Sequence, residues 1–345
     1  MPPLRSVWNT HISQNRTFPV APPGFEHKPL LTNHETMTEQ TTKRYIYALG
    51  FFDGVHRGHR QLLAVSRHLA DSVGAGVGVV TFSGHPDTLV TGVTPRLINT
   101  GVDREILLRE AGAQKIITLP FNRRLQHMPW QEFLELNAIR ESAAGFVCGE
   151  DFRFGDGGAG NADCLSAYCR ENGLLCAVVP DQKLEGKRIS STEIRDLIAD
   201  GEMEAACAWL GHPHLLTGVV VHGQHLGSRL GFPTANLTLP NGVVIPRFGV
   251  YACMAEIGGR SYPAVTNVGV RPTVNGAGVT VEPWILDYSG NLYGKAITLE
   301  FYAFLRPERK FASLEELTAE IHRNARQTRE YFRNHPADSL QILKN

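Results

Sequence analysis

Residues 45–82, YIYALGFFDGVHRGHRQLLAVSRHLADSVGAGVGVVTF, run from one apolar strand-like stretch, through a glycine-punctuated turn and a helical pattern, to a second apolar stretch. Strand, helix and strand in this order describe a parallel crossover unit. The same alternation continues downstream. KIITLPF (115–121), GFVCG (145–149) and LLCAVVP (174–180) read as further buried strands. Between them VDREILLREAG (102–112), PWQEFLELNAIRE (129–141) and LSAYCRENG (165–173) read as helices, the second as one continuous helix. Strands that are apolar throughout belong to a sheet covered on both faces, so this part is expected to be a doubly wound α/β domain. Its ligands are expected at the carboxyl ends of the strands.

After residue 191 the pattern changes. TEIRDLIADG (192–201) and MEAACAWLG (203–211) read as two short helices, the second stopped by Gly211 and Pro213. From residue 215 five strand-like runs follow, separated by Gly-rich turns, and predict an antiparallel barrel or sandwich. Residues 313–332 predict a closing amphipathic helix, with Ser313 as N-cap and Glu316 three residues on. Residues 1–36 show neither periodicity nor the apolar core of a signal peptide, and two readings stand: a disordered extension, or a start assigned ahead of Met37. The expected organisation is thus this extension, a first domain at 37–200, a linker helix at 201–214, a second domain at 215–335 and a tail at 336–345.

Composition narrows the class. Of 345 residues 42% are hydrophobic and 20% charged, and the formal net charge is zero, as in a folded globular protein without a general affinity for nucleic acid. No stretch reaches the roughly 20 apolar residues of a membrane span. The six cysteines include no C-x-x-C pair, which leaves a zinc ribbon or redox motif without support and suits a cytoplasmic chain with reduced thiols. Oligomeric state is left open.

Two stretches carry chemistry. In LGFFDGVHRGHRQLL (49–63) a strand ends at Gly50, Gly54 and Gly58 permit tight turns, and a helix begins near Gly58. His56 and His59 sit three apart, facing one side of that helix beside its free N–H groups, a site suited to polyphosphate. The bland alternative is a pair of histidines flanking a turn. Farther on, ISSTEIR (189–195) offers the hydroxyls of Ser190, Ser191 and Thr192, then Arg195, at a helix start. An N-cap accounts for one hydroxyl but not for three followed by an arginine. In the second half, GSRLGFPTANL (227–237) places Thr234 and Asn236 two apart in extended chain, on one face, as hard-oxygen donors for Mg2+ with nucleotide phosphates. Gly227 supplies close-approach backbone. A carboxylate is needed to accept a hydroxyl proton; Glu282, Asp287 and Glu300 are the candidates from chemistry alone.

These motifs resemble a known family. G-x-F-D-G-V-H-x-G-H at 50–59, T-F-x-x-H-P at 81–86, G-x-D-F-R-F-G at 149–155 and I-S-S-T-x-I-R at 189–195 resemble the FMN adenylyltransferase module of prokaryotic FAD synthetases. L-G-F-P-T-A-N at 230–236, N-V-G-V-R-P-T at 267–273 and a Glu four residues before L-D-Y resemble the riboflavin kinase module. The resemblance spans residues 45–333 in the family's order and implies a nucleotidyltransferase domain followed by a flavokinase-type barrel with a C-terminal helix. It implies ATP against Gly50, Phe52, Asp53, Gly54, Gly58, His56, His59, Ser190, Ser191, Thr192 and Arg195, with the two histidines and Arg195 catalytic. Flavin would lie against Phe82, His85, Pro86, Asp151 and Phe154, and in the barrel near Arg271 and the ERKF segment at 308–311. Gly227, Thr234 and Asn236 would hold Mg-ATP, with Glu282 as catalytic base. Riboflavin, FMN and ATP are the implied partners. The sequence departs from the pattern at Phe51, where Asn is more usual, and at Ser83–Gly84, where Glu-Pro is. Two other readings are a chain with only one working module and a flavin- or RNA-binding regulator built from enzyme-like parts.

Overall fold

The computed structural model describes residues 43–222, 232–273 and 276–336, without the side chains of residues 271–277. Gly227, the 1–36 extension and most of the expected tail lie outside the described residues, as does the side chain of Arg271.

The opening stretch folds as read: β1 (Tyr45–Leu49), α1 (Arg57–Ser72) and β2 (Gly76–Phe82). Next come α2 (Asp87–Val90), α3 (Gly101–Glu110), β3 (Lys115–Leu119) and α4 (Arg123–Gln126). The segment then continues through α5 (Trp130–Leu134), α6 (Asn137–Arg140), β4 (Ala143–Gly149), α7 (Ala162–Glu171) and β5 (Leu175–Val179). All five strands are parallel, in the order β3-β2-β1-β4-β5. The sheet is buried on both sides because β1 feeds two cores. Ile46 and Ala48 pack under α1, with Leu62, Leu63 and Ala70, whereas Tyr47 and Leu49 face Phe133, Phe146 and Leu165.

One expectation fails. Residues 129–141 are not one helix; the chain breaks at Leu136, which has extended backbone (φ −56°, ψ 127°). In a continuous helix the face of Phe133 and Leu134 would recur at the polar residues Asn137, Arg140 and Glu141. The break resets the phase so that Ile139 is fully buried.

A short hairpin, β6 (Lys183–Leu184) and β7 (Lys187–Arg188), precedes α8 (Ser191–Asp200) and α9 (Met203–Leu210). The barrel strands are β8 (His214–Val221), β9 (Asn236–Thr238), β10 (Gly249–Ile257), β11 (Arg260–Thr273), β12 (Gly276–Ile285) and β13 (Ala296–Pro307). They close in the order β10-β11-β12-β9-β8-β13, with antiparallel neighbours throughout. Of the two architectures the sequence allowed, the barrel is the one formed. Its closing helix, α10 (Leu314–Asn334), starts at Ser313, whose hydroxyl accepts the Glu316 N–H at 3.2 Å. The α/β part and the barrel share one core: Ile98, Ile194, Ile198, Met203 and Leu210 pack with Tyr251, Leu299 and Phe301. Residues 203–210, expected as a linker, therefore sit inside that core.

Candidate active sites

The first site forms where β1 turns into α1. Phe52 (φ 61°), Gly54 (φ 79°) and Val55 (φ 40°) are all left-handed, a costly conformation for the two side-chain-bearing residues. Burial of Phe52 and Val55 holds it in place. The turn delivers His56 as the N-cap of α1, where its Nδ1 accepts the His59 N–H at 3.4 Å. The two rings stack, with centroids 3.7 Å apart and 15° between planes. Burial, helped by His212, lowers His56 to about 3. Burial, then His56 and Arg104, lowers His59 well below the usual imidazole value. Both rings are thus neutral hydrogen-bonding groups near pH 7. Nδ1 of His59 is buried with no hydrogen-bond partner.

Asp53 is the hub behind this turn. It is 3% exposed; Oδ1 accepts the Ile98 N–H at 2.9 Å, and Oδ2 accepts Nη2 and Nε of Arg195 at 2.7 and 3.2 Å. Ser191 donates its hydroxyl to the Asp53 carbonyl at 3.0 Å. The ISSTEIR segment is thereby docked against the histidine turn. Ser190 acts as the N-cap of α8, accepting the Glu193 N–H, and Thr192 is exposed. A cavity of about 290 Å3 results, lined by His56, Gly58, His59, Asp151, Ser190 and Ser191 among others. Asp151, expected against flavin, is placed on this side instead. Arg188, from the β6–β7 hairpin, draws it there by an ion pair and also binds Asp181 at 2.7 Å. Arg195 does not line the cavity; its guanidinium is spent on Asp53.

Across the sheet end lies an apolar cavity of about 550 Å3, lined by Phe82, Pro86, Phe121, Leu125, Phe133 and Phe154. Three expected flavin contacts meet there, joined by aromatic residues that the motifs did not mark. His85 stands aside with its ring edge-on to Phe51, centroids 4.6 Å apart. Sequence reading missed Arg104. It is 5% exposed, donates to the Phe82 carbonyl at 2.7 Å and the Phe51 carbonyl at 3.1 Å, and lies 4.4 Å over the Phe51 ring. Its signal was available: an arginine three and four residues before the buried pair Leu107 and Leu108.

The second site stands on the outer wall of the barrel. Leu237 pairs with Val281 and Thr234 with Trp284, so Asn236 lies opposite Glu282. Leu237 and Val281 point into the core, which turns Asn236 and Glu282 outward. Asn267 pairs with Glu282 from β11 and donates Nδ2 to Glu308 at 3.2 Å. Of the three candidate carboxylates, Glu282 is the one facing Asn236. Asp287 binds Arg329 at 2.9 Å, and Glu300 accepts the Tyr302 hydroxyl at 2.8 Å. The ERKF segment is held to α10 by Glu320, 5% exposed, which accepts Arg309 at 2.9 Å. Cavities of about 400 and 520 Å3 flank the wall, the first reached by Thr234 and the second by Asn236.

The Riboflavin kinase family model matches residues 210–332, and the FAD synthetase model residues 38–193. A bifunctional riboflavin kinase/FMN adenylyltransferase of Bacillus subtilis is 32% identical over 306 residues, 87% of this chain and 96% of its own. The protein of that name from Pseudomonas fluorescens is 36% identical over 284 residues, 80% of this chain and 89% of its own. A solved structure described as a macrolide-efflux protein from Streptococcus pneumoniae matches with a TM-score of 0.75 at 30% identity, covering 84% of this chain and 95% of that one. Among the described residues no helix is long and apolar enough to cross a membrane. Two adjoining family matches and full-length relatives agree with the two sites just described: the chain belongs to the bifunctional riboflavin kinase/FMN adenylyltransferase family.

Proposed function

We infer that the protein makes FAD in two steps, phosphorylating riboflavin with ATP on the barrel and adenylylating the resulting FMN with ATP at the sheet end. The observation that carries this is the presence, in one chain, of both family matches, each spanning one of the two candidate sites.

In the adenylyl transfer an FMN phosphate oxygen attacks the α-phosphorus of ATP, and pyrophosphate leaves. His56, His59 and the free N–H groups of α1 are suited to hold the phosphates, because the site is desolvated and its donors are already fixed. The apolar cavity would take the flavin ring, with Phe82, Pro86 and Phe154 against it. Arg195 supports the turn through Asp53, with its role one of positioning in this arrangement. In the kinase step the primary hydroxyl of riboflavin attacks the γ-phosphorus, Glu282 accepts its proton, and ADP leaves.

ATP enzymes of this kind use a divalent ion, which we take to be Mg2+. The fit is good: Thr234 and Asn236 offer two hard oxygens on one face. Among the described residues no cluster of three His, Cys, Asp or Glu could cage a resident metal, so the ion would arrive with the nucleotide. When bound it neutralises charge between phosphate oxygens. All six cysteines are free thiols, which supports a cytoplasmic location.

The test is to incubate the protein with riboflavin, ATP and Mg2+ and to separate the flavins over time. FMN should appear first and FAD follow. Thr234→Ala with Asn236→Ala should stop FMN formation and spare conversion of supplied FMN; His59→Ala should do the reverse, lowering it on the order of 100-fold or more. Loss of both activities in either folded variant would contradict two separate sites.

A further inference from the structure

The segment between α2 and α3 belongs by sequence to the α/β part, yet it lies against the barrel. Leu97 forms a parallel bridge with Val243, donating its N–H to the Gly242 carbonyl at 2.7 Å and accepting the Val244 N–H at 2.8 Å. The next two residues are fixed as well. Ile98 donates to Asp53, and Asn99 donates its side-chain amide to the Leu215 carbonyl at 3.2 Å. This clamped backbone places Arg96, an exposed residue, on the lining of the cavity of about 520 Å3 that Asn236 also lines.

The chemistry of that cavity is specific. Its other polar walls are His222, Thr238, Asn241 and Thr280, and among the described residues none that lines it is acidic. Among the described residues no carboxylate pairs with Arg96. An arginine without a counter-charge, beside hydroxyl and amide donors and next to the residue assigned to Mg-ATP, suits a phosphate, which a guanidinium grips with two parallel N–H groups.

We propose that Arg96, carried by the α/β part, binds a phosphate of the riboflavin kinase reaction, so that the barrel's active site is completed by the neighbouring module. This rests on the kinase reading of the Asn236 and Glu282 wall. The phosphate can be that of ATP or that of the product FMN, and the assay separates them.

The experiment uses the full chain as wild type, Arg96→Gln and Arg96→Lys. Riboflavin phosphorylation is followed with ATP varied and then with FMN added as inhibitor; conversion of FMN to FAD is measured in parallel. Loss of one solvent-exposed charge-assisted contact should raise the KM for ATP about fivefold in the Gln variant. The Lys variant should recover most of the loss, and FMN adenylylation should stay unchanged. A weakening of FMN inhibition by a similar factor, with the KM for ATP unmoved, assigns the flavin phosphate and equally supports the proposal. Kinase constants within twofold of wild type overturn it. So does a parallel fall of both activities in the Gln and Lys variants, because that marks a structural strap. A wild type that makes no FMN from riboflavin overturns the kinase reading together with the proposal, whereas active wild type with unchanged variants overturns only the role of Arg96.

Discussion

Two stacked imidazoles at the head of α1 would repel each other if charged, and burial removes that conflict by keeping them neutral. His214 is buried in the same way, lowered to about 3, but serves no comparable site: both ring nitrogens lack hydrogen-bond partners and the ring packs against Phe301. The folded chain therefore holds these rings unprotonated, while the unfolded chain protonates them near pH 6.5. Stability is full above about 6.5 and declines as pH falls toward 3, by up to about 1.4 kcal/mol per pH unit for each ring. His214→Leu removes one of them without opening a large hole. Its urea midpoint should drop less than that of wild type between pH 7 and pH 5; an equal drop would place the acid sensitivity elsewhere. At this scale the sequence shows His56, His59, Thr234 and Asn236, because each sits in a spaced pattern. It marks Asp53 only as a motif residue beside ATP, not as the hub that Ile98 and Arg195 make of it, and it hides Arg104, whose partners Phe51 and Phe82 lie on other elements and become neighbours only after folding.

The elements of the α/β part are largely readable, since its strands are mostly apolar runs set between helical patterns. The exception at Leu136 shows the limit: nothing local breaks that helix, and only the demand to bury Ile139 against the sheet does so. The loop from β4 to α7 depends equally on its surroundings. Gly155 has φ 76° and ψ −179°, and a Cβ there would come within 2.7 Å of the Trp130 backbone. A side chain is excluded on both counts. Gly155→Ala should displace Phe154 and enlarge or distort the apolar cavity. The KM for FMN in adenylylation should rise several-fold, on the order of 1 kcal/mol, while riboflavin phosphorylation is unaffected. An unchanged KM for FMN would remove that cavity from the flavin site.

At the level of the molecule, the order of the two modules is plain from the motifs, but their joining is not. The apolar faces of α8 and α9 could, on sequence alone, have covered the sheet or each other. In the structure they enter the barrel's core with Ile98. Both modules should therefore unfold in one transition, seen alike by the environment of Trp130 in the α/β part and that of Trp284 on the barrel. Leu210→Ala, at a fully buried position, should cost about 3 kcal/mol and lower both signals together. Two separated transitions, only one of them shifted, would mean independent domains.

The shared core also bears on how portable the kinase is. A barrel cut free ahead of residue 214 keeps every one of its strands, yet it loses the isoleucines at 98, 194 and 198 that pack into its core cluster. It would leave with bare greasy surface there, and without Arg96. Grafting this barrel onto a foreign scaffold thus requires redesigning that surface, because the partnership is written in side chains and cannot be undone at the connecting peptide.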